Sequence, residues 1–256
     1  MSVGTPIVNS GNLYVNGLEL SWIDGTHIQV YKGEARDSTN VNDINLSATI
    51  LINAAIQGAG GLDQGALANN TFYAVYVIGN SLGNANSSAL ISTNTTSPAL
   101  PYNYDMFRRV GFVLTSGAAA ILEFWQEQAL GGISISNSSR RMWYDAPISV
   151  LAATAQAAFT AQVLTAAIPL KLSGTEVTFN VDLLPNAAAN FVELRPTGST
   201  AAAGMVKLSG DVGGVHHFDQ VRCVCAADAT PHPSIDYITD AATTVALTVS
   251  AYVDYL

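Results

Sequence analysis

Val177, Phe179, Val181 and Leu183 alternate with Thr178, Asn180 and Asp182. The same period returns near the C-terminus, where Val245, Leu247, Val249, Ala251 and Val253 alternate with Thr248, Ser250, Tyr252 and Asp254. Successive strand side chains point to opposite faces, so each run predicts a strand with one face on a core and one toward water or a partner. Ile44, Leu46, Ala48, Ile50 and Ile52 predict a third such strand, and His27 to Tyr31, behind an Asp24-Gly25 turn, a shorter fourth. Phe72 to Ile78 and Val110 to Leu114 are apolar throughout, the pattern of central strands buried on both faces. Ile121 to Trp125 is expected to pair with Val110–Leu114 across a turn at Ser116-Gly117.

Between these runs lie connections of small and turn-forming residues: Gly58–Gly65, Gly79–Ser88, Ser92–Pro101, Thr197–Gly204 and Gly210–Gly214. The one stretch with helical composition is Ala152–Ala167. Its alanines favour helix, but its threonines and the flanking Pro147 and Pro169 favour strand or irregular structure. Many short strands with Gly, Pro and Asn turns define an all-β, antiparallel sandwich or jelly-roll-like fold. Gly and Ser cluster at Gly131–Arg140, which divides the chain into a first β domain, 17–132, and a second β-sandwich domain, 133–256. A single sandwich of about 250 residues is the alternative. Residues 1–16 are polar, hold Pro6, and are expected to form an arm ordered by docking.

Composition narrows the function. Apolar residues make up 49% of the 256, and charged residues only 11%, against about 25% in a typical domain. Ser, Thr, Asn, Ala and Gly take the place of charge, giving a neutral, hydrogen-bonding surface that repels neighbouring subunits weakly. The formal net charge is −9, and the ten Lys and Arg cluster no more tightly than the pairs Arg108-Arg109 and Arg140-Arg141. A nucleic-acid groove needs a basic stripe, so no nucleic-acid partner is expected. Ala146–Leu170 carries no charge but is broken by two prolines and several Thr and Gln, so no membrane span is expected. Met1–Ser10 lacks a basic and an apolar leader region, which predicts synthesis and folding in a cytoplasm. Cys223 and Cys225 fit a reducing compartment better than a disulfide framework.

Candidate chemistry is sparse. His216-His217 with Cys223-x-Cys225 offers zinc ligand types, but without a second close Cys pair the thiols are expected to pack as small apolar groups on one strand face with Val221. Asp228, Asp236, Asp240 and His232 lie on turn-like sequence without a calcium-loop motif, and are expected to form turns. Asp63 in its Gly-rich loop is expected to cap its own turn while the glycines take positive φ. Gly58–Gly61 (GAGG) lacks the ending of a phosphate loop. Glu123 and Glu127 are the only close glutamates, Glu123 being expected inside a strand and partly buried. A glycosidase needs two carboxylates across one cleft. No G-x-S-x-G or H-E-x-x-H occurs. No enzyme, catalytic residue, metal site or cofactor is expected. The candidate interface residues are Tyr102 and Tyr104, flanking a polar turn, and Arg140, Arg141, Trp143 and Tyr144, placed in a loop between the two domains. Tyr, Trp and Arg are what interface anchors are made of, and edge aromatics closing the sandwich ends are the equal alternative.

One region carries a resemblance. The loop Gly61-Leu62-Asp63-Gln64-Gly65-Ala66-Leu67 leads into Asn70-Thr71-Phe72-Tyr73 and Val77-Ile78-Gly79-Asn80. Then come Leu90-Ile91-Ser92-Thr93, Ser97-Pro98-Ala99-Leu100-Pro101-Tyr102 and Arg108-Arg109-Val110-Gly111. As a set, covering 61–126, these resemble a module of tailed-bacteriophage virion proteins of the tail-fibre and head-decoration type. The C-terminal run ending in Tyr252-Val253-Asp254 is similar too. Where the family often has Gly before the tyrosine after Leu-Pro, this chain has Asn103 before Tyr104, and Asn tolerates the same turn conformations.

The resemblance implies a virion component assembled in the bacterial host cytoplasm, with no catalytic site. By family analogy it implies a homo-oligomer, a trimer in the first instance, docked on other virion proteins such as a capsid or tail adaptor. A receptor- or glycan-binding module at a fibre tip is the alternative. A polysaccharide depolymerase would normally carry a repetitive strand solenoid, and no such repeat is seen.

Overall fold

A computed structural model describes residues 14–128, 139–153, 155–170, 172, 174–200, 206–228, 230, 232–240 and 243–256. Among them all regular structure is β-strand. The first strands are β1 (Val15–Gly17), β2 (Leu20–Asp24), β3 (His27–Val30), β4 (Gly33–Arg36), β5 (Asp43–Leu46) and β6 (Ile50–Asn53). Then follow β7 (Phe72–Gly79), β8 (Ser88–Ser92), β9 (Met106–Leu114), β10 (Phe124–Gln128), β11 (Ser139–Ala153), β12 (Thr160–Val163) and β13 (Glu176–Leu184). The last are β14 (Phe191–Pro196), β15 (Val206–Ser209), β16 (His217–Val224), β17 (Ala226–Ala227), β18 (Pro233–Thr239) and β19 (Thr244–Tyr255).

One eight-stranded antiparallel sheet, in the order β16-β13-β19-β11-β10-β2-β3-β6, runs through both halves of the chain. Its inner face carries Leu20, Ile28, Val30 and Ile52 in one half, and Val177, Phe179, Val181, Leu183, Leu247 and Val249 in the other, all buried. The three-stranded sheet β8-β7-β9 serves the first half, where Gly111 of β9 lies against Leu20 and Gln126. The sheet β12-β18-β14-β15, with β17 beside β18, serves the second, and its Val192, Leu194, Ile235 and Tyr237 join the same core. A small sheet β1-β4-β5 completes the first half. The arrangement is that of an antiparallel β-sandwich protein. The sequence boundary near 132 falls between β10 and β11, outside the described residues, and those two strands pair across it through five residues from Phe124↔Tyr144 to Gln128↔Arg140.

Several sequence expectations change. The run Ile44–Ile52 is two strands in two sheets, because Ser47–Thr49 leave the ladder and Ala48 is exposed. Val110–Leu114 is buried on both faces, but β9 is an edge of its sheet, covered by packing and not by a second neighbour. Ile121 makes only a single bridge with Thr115, and β10 turns away to pair with β11 and β2. Glu123 precedes β10 and is exposed. Ala152–Ala167 forms no helix among its described residues and contributes the end of β11 and all of β12. Of the expected arm, residues 1–13 lie outside the described residues. Residues 14–16 belong to the fold, with Val15 in β1 buried to 1% exposure and Tyr14 Oη donating to Asp43 at 2.9 Å.

The C-terminal strand departs from simple alternation. A register shift between Thr178 and Phe179 puts Ser250 out of step in β19. Beyond it Tyr252 and Asp254 face the core as Val245, Leu247 and Val249 do before it, and Ser250 is buried too. β19 lies between β11 and β13, and its last turns are covered on both faces.

Candidate functional site

Arg140, Arg141, Trp143 and Tyr144 do not lie in a loop. They sit on β11, a strand fifteen residues long whose register to β19 is broken between Trp143 and Ile148. Pro147, which has no N–H to give, occupies that break. Strand alternation then separates the four. Arg140 faces inward at 1% exposure, donates to the Gly17 carbonyl at 2.7 Å and faces Glu19 at 3.6 Å. Burial lowers its affinity for the proton, and Glu19 opposes this. Tyr144 also faces inward and donates to the Ala167 carbonyl at 2.6 Å, with its hydroxyl pKa raised by burial. Neither is available to a partner, because each completes the core of its own chain.

Arg141 and Trp143 face the outer side. Trp143 stacks on Trp125 of β10, with ring centroids 5.9 Å apart and planes 9° from parallel. Its indole N–H donates to Glu127 at 2.9 Å. Arg141 donates to Glu176 at 2.7 Å. Trp125, at 48% exposure, is the accessible half of this pair. Sequence reasoning did not select it, because only the β10–β11 register places it opposite Trp143.

Tyr102 and Tyr104 lie where three loops meet. Asn80 Nδ2 donates to the Asn103 carbonyl at 2.6 Å, and Asn80 Oδ1 accepts from the Leu82 and Asn84 amides. Asp105 accepts from the Ser81 amide and hydroxyl, and its carboxyl is held below the usual range chiefly by that hydroxyl. Ser38 N donates to the Phe107 carbonyl, which brings in the loop 37–42. There Asp37 accepts from Thr39 and from the Val41 amide; burial pushes its carboxyl up, and these bonds more than offset it. Asn103 takes the left-handed conformation at φ 68, which its turn demanded. Tyr104 is held by its hydroxyl on the Asn86 carbonyl at 3.0 Å. Tyr102 stands out at 91% exposure, with Leu82 at 78% and Val41 at 68% on the joined loops.

A third feature lies on the outer face of β13, β16 and β19. A groove of about 590 Å³ is lined by Asn180, Asp182, Phe218, Gln220, Ala246 and Thr248. A second, of about 370 Å³, continues past Asp182 to His216, Thr244 and Ala152. Register places Asn180 opposite both Gln220 and Thr248, and Asp182 opposite both Phe218 and Ala246. His216 Nδ1 meets Asp182 at 2.6 Å, and the His216 and Phe218 rings stack 5.8 Å apart.

The remaining candidates are structural. Cys223 and Cys225 are free and buried; burial pushes the Cys223 thiol up to about 12 and raises that of Cys225. Among the described residues no three His, Cys, Asp or Glu converge as a metal site. Asp63 does not cap its own turn: its carboxylate accepts from Ser92 Oγ at 2.5 Å and the Ala99 amide at 3.0 Å, tying two distant loops. The neighbouring Gly58, Gly60 and Gly65 do take positive φ. Asp228 forms a turn with Thr230 and His232, the His232 amide being the chief cause of its lowered pKa. Asp236 is on β18, not in a turn, and is buried against Arg195 at 3.4 Å.

The fold is that of an antiparallel β-sandwich protein, with exposed apolar side chains on its joined loops and on the outer face of its large sheet. No family model matches the chain, and no curated protein or solved structure matches it.

Proposed function

We propose that this chain is a non-enzymatic structural protein of a bacteriophage virion, a capsid-decoration or tail- or head-fibre component that works by packing against copies of itself and docking on a capsid or tail protein. The observation that carries this reading is the loop cluster. Three of the four most exposed large apolar side chains among the described residues, Tyr102, Leu82 and Val41, stand on loops fixed by hydrogen bonds. Apolar groups held rigidly at a surface lose little entropy on contact and gain by leaving water. The charge-poor composition and the likeness of residues 61–126 to phage virion proteins support the same reading.

Size-exclusion chromatography with light scattering on the purified chain tests it. A stable homo-oligomer, a trimer by analogy, is expected at micromolar concentration, and Tyr102→Ala with Leu82→Ser should dissociate it without lowering the melting temperature. A wild-type monomer, or turnover of any substrate, overturns the proposal.

A further inference from the structure

The most exposed aromatic side chain outside the loop cluster is Phe218, at 75%. It stands on β16 at the wall of the outer groove, one face against the His216 ring and the other open. Ala246 and Thr248 on β19, and Ala152 on β11, are short and form a floor between taller side chains. Asn180, Gln220 and Asp182 rise from β13 and β16 beside Phe218.

The polar groups here are half used. Gln220 Nε2 donates to Asn180 Oδ1 at 3.1 Å, which leaves the Asn180 amide nitrogen and the Gln220 carbonyl oxygen without a partner among the described residues. His216 engages Asp182 Oδ1, and Asp182 Oδ2 has no partner there. The Thr248 hydroxyl is in the same position. One amide donor, two acceptors and a hydroxyl thus border an open aromatic face. No Lys or Arg lines the groove, and Asp182 gives it negative charge.

We infer that this groove binds a neutral saccharide. A sugar presents an apolar C–H face, which an exposed ring covers. It also presents adjacent hydroxyls that both donate and accept, matching the mixture of amide, carboxylate and hydroxyl groups. The Asp182 carboxylate and the absence of lysine and arginine from the lining disfavour phosphate and acidic sugars by charge. The inference goes beyond the assembly reading and does not depend on it.

The full-length chain is applied to an array of neutral hexose and N-acetylhexosamine oligosaccharides beside sialylated and uronate-containing ones. The best neutral oligosaccharide is then titrated by calorimetry. Selective neutral binding is expected. Phe218→Ala and Asn180→Ala should each weaken it by about tenfold or more, with the circular dichroism spectrum and melting temperature unchanged. Absence of neutral binding overturns the inference, as does binding that both variants leave intact. A change in oligomeric state in Phe218→Ala, without sugar binding by the wild type, overturns it too and assigns the groove to a contact between copies. Oligomerisation lost through Tyr102 and Leu82 variants, with sugar binding kept, separates the two proposals.

Discussion

Arg109 and Asp254 lie 145 residues apart in sequence and meet at 2.5 Å, joining β9 to β19. Asp254 is fully buried; burial pushes its carboxyl pKa up and the Arg109 guanidinium offsets this only in part. Its Oδ1 and the Nε of neighbouring Arg140 have no hydrogen-bond partner among the described residues. Removing one member of such a pair strands the other charge. Arg109→Met should therefore cost about 3–5 kcal/mol at neutral pH. A carboxyl whose folded pKa is raised favours folding below its unfolded value, and that advantage is lost as pH rises through the folded one. Urea denaturation should show the smallest deficit near about pH 4 and a larger one near about pH 8. Four other aspartates act in the opposite sense. Asp24 is held down to about 2, first by the Thr26 amide and then by His27, and Asp37, Asp105 and Asp228 are lowered as well. The stability they give is present above the ordinary carboxylate range and drains away as pH falls through their folded values. A carboxyl-detected NMR titration should find the Asp24 midpoint near about 2. Little at this scale was legible in the sequence. Asn103 announced its left-handed turn, and the two cysteines announced their burial, Cys223 on β16 and Cys225 just past its end. The partners of Asp63, Arg140 and Asp254 come from distant segments, and no local pattern points to them.

Strand alternation identified β13, β3 and the first half of β19, where one face is simply apolar, and the unbroken apolar run identified β7, buried on both faces. It failed where the ladder is interrupted. The slip at Ser250 turns Tyr252 inward, and Ser47–Thr49 carry the chain from one sheet to another. The Gly- and Ser-rich approach to Arg140 made Trp143 resemble a loop residue, although the ladder had already begun at Ser139. Trp125 and the saccharide groove depend on register across three strands, which sequence spacing does not encode. The small sheet supplies a test of element geometry. Gly33 in β4 lies opposite Gly17 in β1, and a Cβ on Gly33 would overlap the Asn16 carbonyl and the Leu18 amide. Backbone cannot yield as a side-chain tip can. Gly33→Ala should lower stability by about 1–3 kcal/mol. Gly117→Ala, whose nearest neighbour would be Asn70 at 3.8 Å, should be close to neutral in the same denaturant series.

At the scale of the whole molecule, one sheet and one set of buried residues extend through both sequence halves. β10 pairs with β11 across the sequence boundary, and Arg109 ties the first half to the last strand. Such continuity predicts a single calorimetric transition, with van't Hoff and calorimetric enthalpies equal. Two resolved transitions would instead identify 17–132 and 133–256 as units that melt independently. The uncharged surface that composition foretold persists as outward-facing Ser21, Gln29, Ser149 and Thr248 on the large sheet, interrupted by the Glu127, Arg141 and Glu176 group.

The place of β19 bears on how the chain is made. It is the last strand in chain order, yet it is the plank between β11 and β13, so a ribosome delivers both neighbours well before the piece that joins them. Until then each neighbour shows a bare edge to every other nascent chain nearby. Insertion of β19 closes both edges in one event, and a polypeptide stalled after β18 would remain an adhesive, unfinished sheet.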